Sequence, residues 1–131
     1  MDQNQEQQEL MFKFSMFEQQ IRQLQEQLQA IEQAIIEATS LSLGLDNLKE
    51  GKEKSILAGI GKGIFAEAKL SSENLIVDVG GKNFVKKSIS DTQKIINDQV
   101  EKLELIKKEL ESNLEVINQE LTKTFMDAQR K

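Results

Sequence analysis

Residues 10–38, LMFKFSMFEQQIRQLQEQLQAIEQAIIEA, place apolar side chains at strict four-three spacing: Leu10, Phe14, Phe17, Ile21, Leu24, Leu28, Ile31, Ile35 and Ala38. With Leu10 at d, Phe14, Ile21, Leu28 and Ile35 occupy a, and Phe17, Leu24, Ile31 and Ala38 occupy d, which is the seam of a coiled coil. A seam two positions wide buries nothing alone, so the helix needs a second one of similar length. The same pattern returns after Gln93 as Ile96, Val100, Leu103, Leu110, Leu114, Ile117, Leu121 and Ala128, with Lys107 and Thr124 as polar residues in phase. Each seam spans about 45 Å of helix at about 1.5 Å per residue. The stretch between them is long enough to reverse direction, and an antiparallel helical hairpin is predicted.

The composition excludes several functions. Proline, cysteine, histidine, tryptophan and tyrosine are all absent from the 131 residues. With them go helix breakers, disulfides, thiolate nucleophiles, the usual zinc ligands and the most versatile general base. No enzyme, cofactor or metal is expected. The net charge of −5 arises mostly in the first forty residues, and there are two arginines and no aromatic stacking platform beyond phenylalanine. Nucleic acid is therefore not the expected partner. No apolar run reaches the roughly 18 residues of a membrane span, and the acidic start MDQNQEQQE is unlike a signal peptide. The cytoplasm is the expected compartment.

Residues 1–9 are polar and are expected to fray. Glycines 44 and 51 weaken the helical stripe, which places the end of the first helix between Ser42 and Glu50. Residues 55–89 hold five of the seven glycines, with β-branched residues between them, and read as β structure. Strands at 55–60 and 64–70 flank Gly61-Lys62-Gly63, and strands at 75–79 and 84–89 flank Gly80-Gly81-Lys82-Asn83, giving two successive hairpins. Neither glycine cluster has the spacing of a phosphate loop. Ser90-Asp91-Thr92-Gln93 fits a capping box that opens the second helix. The predicted organisation is α+β: a coiled-coil helix over residues 1–48, a double hairpin over 55–89 and a second coiled-coil helix over 90–131.

Hairpins with an apolar face and open edges invite pairing with other chains. The residues expected to carry oligomerisation are Ile56, Leu57 and Ile60 in the first strand, Ile64, Phe65 and Leu70 in the second, Leu75, Val77 and Val79 in the third, and Phe84 and Val85 in the fourth. A second apolar surplus lies at the two chain termini. Antiparallel pairing sets Leu10 to Phe17 opposite roughly Leu114 to Thr124, with Phe125 and Met126 flanking the start of the chain. That end carries Met11 at e, Phe12 at f, Met16 at c, Phe125 at e and Met126 at f, where c and f ordinarily face water. Exposed phenylalanine and methionine at such positions mark a contact surface able to fit ligands of varied shape.

The order helix, two hairpins, helix resembles the alpha-class subunit of prefoldin. The likeness is carried by residues 61–70, GKGIFAEAKL, and residues 75–81, LIVDVGG. It implies an ATP-independent holding chaperone in which two alpha-type and four beta-type subunits join their hairpins into an intersubunit β-barrel. It further implies that unfolded polypeptides are gripped at the ends of the coiled coils, here by Met11, Phe12, Met16, Phe125 and Met126, and passed to a group II chaperonin. The alternative reading is a coiled-coil scaffold that docks one defined partner helix.

Overall fold

The computed structural model describes residues 3–51 and 53–130. Helix α1 (Gln3–Asp46) is followed by strands β1 (Ser55–Gly61), β2 (Ile64–Lys69), β3 (Asn74–Asp78) and β4 (Phe84–Ser88), and helix α2 (Ile89–Gln129) closes the chain. The chain divides into two compact units, Met1–Ile35 with Lys102–Lys131, and Ile36–Glu101.

In the first unit two helical segments face each other along the heptad stripe. Every a and d residue named in that segment is partly buried, including the polar Lys107 and Thr124, while the residues between them, Ala34 excepted, are exposed. Phe14 and Phe125 stand side by side with ring centroids 6.3 Å apart at 58°. Lys107 Nζ lies 3.9 Å from Glu32 Oε1. An advance along α1 from Phe14 to Glu32 is thus matched by an equal retreat along α2 from Phe125 to Lys107, which fixes antiparallel pairing without a slip. The pairing sits further along α2 than the seams alone suggest: Phe125 faces Phe14 and does not lie beyond the start of α1.

In the second unit α1 continues past Ala38 to Asp46 and meets the first turns of α2 there. The Gln93 amide donates to the Ser42 carbonyl at 2.9 Å and to Asp46 Oδ1 at 2.7 Å. The Ser42 hydroxyl donates to Asn97 Oδ1 at 3.3 Å. Gln93 in this way ties a carbonyl near the C-terminal end of α1 to the first turns of α2. It also holds the Asp46 carboxyl below the ordinary carboxylate range, with Lys49 assisting at 3.4 Å. Ile89 and Ile96 are buried beside this polar set, and Thr92 is buried with its hydroxyl donating to the Ser88 carbonyl at 2.8 Å.

Two expectations are corrected at the helix starts. Helix α1 is already formed at Gln3, although residues 3–9 are fully exposed. Glutamine and glutamate are good helix formers, Glu6 complements the helix dipole, and a turn added to an existing helix carries no nucleation cost. The cap of α2 is Ser88, two residues before the expected Ser90. The Ser88 hydroxyl accepts from the Asp91 amide at 3.0 Å, so that Asp91 takes the third helical position, while Ser90 is exposed. Gln93 is thereby released from capping and reaches α1.

The β block forms two separate two-stranded antiparallel sheets. In the first, Ile56 pairs with Ala68 and Ala58 with Ala66, with an irregularity between Gly59 and Gly61. Lys62 and Gly63 close it at φ 51° and 79°, the pair of positive values that a tight hairpin with the right strand twist needs. In the second, Leu75 pairs with Lys87 and Val77 with Val85. Gly80, Gly81 and Lys82 turn it at positive φ, and the Gly80 amide donates to Asp78 Oδ1 at 2.9 Å. Gly51 sits in the link before β1, where a Cβ would come within 3.0 Å of the Leu48 carbonyl oxygen.

Replacing Ser88 with alanine should lower stability by about 1 kcal/mol, the usual worth of a helix N-cap, whereas Ser90→Ala should leave it unchanged. Thermal unfolding followed by circular dichroism distinguishes the two variants, and an equal loss from both would contradict the assigned cap.

Candidate functional site

The seam decides which apolar side chains remain available. In the first unit Leu10, Phe14, Phe17, Leu121 and Ala128 face the partner helix, and the residues beside them turn outward. Met11 is 70% exposed, Phe12 66%, Met126 55%, Phe125 51% and Met16 44%. A helical residue at c or f points away from its partner, so burial of these side chains requires something other than the hairpin itself. Phe125 has a divided role, because one part of its ring packs on Phe14 while about half of its surface stays open.

The backbone arrangement brings the five residues onto one end of this unit. Leu10 and Lys13 of α1 share an open groove of about 450 Å³ with Thr124, Asp127 and Ala128 of α2. Phe12 borders a neighbouring hollow on α1 together with Gln8 and Glu9, and Met126 borders another along α2 together with Asn118 and Thr122. The walls are mixed, with apolar side chains interleaved among carboxylates, amides and lysines. Such a surface offers many weak apolar contacts and no enclosed cavity of fixed shape.

Among the described residues no group of three or more acidic residues is placed to hold a metal ion, and no helix is long and apolar enough to cross a membrane. The exposed helix-face carboxylates that the sequence offers, such as Glu101, Glu109 and Glu115, lie on solvated outer positions.

The hairpins of the second unit form a separate apolar surface. Ile56, Ala66, Ala68 and Leu70 are half-buried, as are Leu75 and Val77, while Leu57, Ile60, Ile64, Phe65, Val79, Phe84 and Val85 are exposed. Each hairpin therefore shows apolar side chains on both faces. Ile76, 72% exposed and opposite Lys86 in the register, belongs with this set although sequence reasoning passed over it. It alternates with Leu75 and Val77 and so takes the opposite face of β3. Ile36, Leu41, Leu43, Leu105, Ile106 and Val116 are likewise exposed, off the seam on the helix faces.

The molecule is thus a paired-helix subunit with a double hairpin inserted between its helices. The family model for prefoldin subunits matches residues 17–131. The prefoldin subunit alpha of Methanococcus aeolicus is 31% identical over 102 residues, covering 77% of this chain and 69% of the relative. That of Methanococcus maripaludis is 30% identical over 122 residues, covering 92% and 78%, and that of Methanosphaera stadtmanae is 27% identical over 96 residues, covering 73% and 70%. A cryo-EM structure of filamentous PFD from Methanocaldococcus jannaschii shares the fold with a TM-score of 0.77 at 20% identity, over 87% of this chain and 96% of that one. The chain belongs to the prefoldin family of chaperone subunits and stands with its alpha subunits.

The two phenylalanines at this end can be told apart. Phe125→Ala removes the ring against Phe14 and should cost about 1–2 kcal/mol, whereas Phe12→Ala should be neutral to within about 0.5 kcal/mol. Thermal melts of the two variants check the difference, and equal destabilisation would mean that Phe12 is a packing residue.

Proposed function

We propose that this chain is a subunit of an ATP-independent holding chaperone that binds unfolded polypeptides through Met11, Phe12, Met16, Phe125 and Met126. The observation that carries this reading is the exposure of these five residues at positions the coiled-coil seam does not use. Unfolded chains present scattered apolar side chains without a common shape. Flexible methionines and open phenylalanines on a groove-lined surface suit such ligands better than a closed pocket does. Release to a group II chaperonin completes the proposed cycle in the cytoplasm, and no nucleotide enters it.

Assembly rests on the other apolar surface. The hairpins supply Ile56, Leu57, Ile60, Ile64, Phe65, Leu70, Leu75, Val77, Val79, Phe84 and Val85, joined by Ile76, to an intersubunit β-barrel with beta-type partners. The proposed complex is a heterohexamer of two alpha-type and four beta-type subunits. Two-stranded sheets with apolar side chains on both faces support this reading, since such ribbons gain most of their stability from added strands and a covered face.

Replacing Phe12, Met16, Phe125 and Met126 together with serine should abolish suppression of a denatured client's aggregation while the size of the assembly is unchanged. Undiminished suppression would overturn the binding role. Capture of one stoichiometric partner, with no affinity for unfolded chains in general, would favour a scaffold that docks a defined helix.

The joint is tested separately. Phe65→Glu with Ile76→Glu places charge on exposed faces and should leave helix content intact. Mass measurement with beta-type subunits should then show the chain outside the complex, and an unchanged complex would mean that the hairpins are not the interface.

A further inference from the structure

We propose that Met11, Met16 and Met126 form a methionine-oxidation site through which peroxide switches off the apolar surface of the helix ends; this rests on the binding role proposed above. The sequence contains no cysteine, tryptophan or tyrosine, so methionine thioethers are its most readily oxidised groups. Its remaining methionine, Met1, lies outside the described residues. The other three all fall in one unit and are all exposed. None occupies an a or d position, so an oxidant reaches each sulfur without the helices separating.

The same placement makes the change local. The sulfur lone pair attacks one oxygen of hydrogen peroxide and forms an S–O bond as the O–O bond breaks. The departing hydroxide takes the proton left on the transferred oxygen and leaves as water. Sulfur is oxidised by two electrons, peroxide is reduced by two, and the product is the sulfoxide. A sulfoxide oxygen is a strong acceptor that holds water, so a client's apolar side chain can cover it only by stripping that water away. Leu10, Phe14, Phe17, Leu121 and Ala128 carry the seam and none of them is oxidised, so the coiled coil persists. Sulfoxide reductases restore the thioether, which makes the change reversible.

The test uses the full assembly with its beta-type subunits and compares the natural chain with Met11→Leu, Met16→Leu, Met126→Leu combined. Leucine keeps an apolar side chain and cannot be oxidised, so the variant separates this chain's methionines from those of its partners. After a pulse of hydrogen peroxide, peptide mass mapping should show Met11 and Met126 each gaining one oxygen ahead of the less exposed Met16. Measured against each assembly's own untreated level, so that any basal cost of the leucine substitutions cancels, peroxide should lower suppression of client aggregation by the natural assembly and leave that of the leucine variant where it was, and methionine sulfoxide reductase should reverse the loss. Full suppression by an assembly carrying all three sulfoxides would overturn the proposal while leaving client binding in place. Absence of suppression by the untreated assembly would remove the binding role itself, and the switch with it. An equal fall in the leucine variant would assign the sensitivity to the partner subunits.

Discussion

Everything else in this chain is defined by the narrowness of the contact between α1 and α2. A coiled-coil seam admits one residue in three or four, so two helices of more than forty residues each bury few side chains deeply. Only Ile89 and Ile96 among the described apolar residues are fully buried, both in the second unit. An apolar residue placed off the seam is exposed by geometry, whatever its hydrophobicity. Met11, Phe12, Met16 and Met126 therefore owe their availability to the phase of the repeat.

Polar residues fix what the apolar seam leaves undetermined. A repeat of leucine and isoleucine tolerates sliding by a heptad, because one layer resembles the next. Within the first unit Lys107 breaks that equivalence by sitting at a seam position beside Glu32. Within the second, Gln93 binds both the Ser42 carbonyl and Asp46, so its amide serves as a ruler for α1 against α2. The neutral Gln20 and Gln27 at g positions contribute no charge to this selection. Register is thus set at a few points by directed bonds, while stability is spread along the stripe.

How much of this could be read from sequence depended on the range of the interaction involved. The heptads, the two glycine-centred turns and the identity of the seam residues all follow local periodicity and were legible, down to the polar Lys107 and Thr124 in phase. The cap of α2 was misplaced because Ser88 and Ser90 both have the right chemistry. The Ser88 cap goes together with a bond that local sequence does not show, from Gln93 to α1 some fifty residues away in the chain. The helicity of residues 3–9 shows that propensity can extend a helix with nothing to bury. At the candidate site, outward heptad positions singled out Met11, Phe12, Met16, Phe125 and Met126. Ile76 escaped because alternation in a strand tells which face a residue takes and leaves open whether that face meets water.

The two hairpins carry a consequence for how the chain is completed. A pair of strands with no third neighbour is at the margin of stability in water, and among the described residues neither ribbon has a further strand along either of its two rims of backbone amides and carbonyls. A strand that paired with such a rim would add a mass-action contribution to the free energy that orders β1 to β4, one that grows with the concentration of that strand. For this part of the molecule, folding would then be a titration.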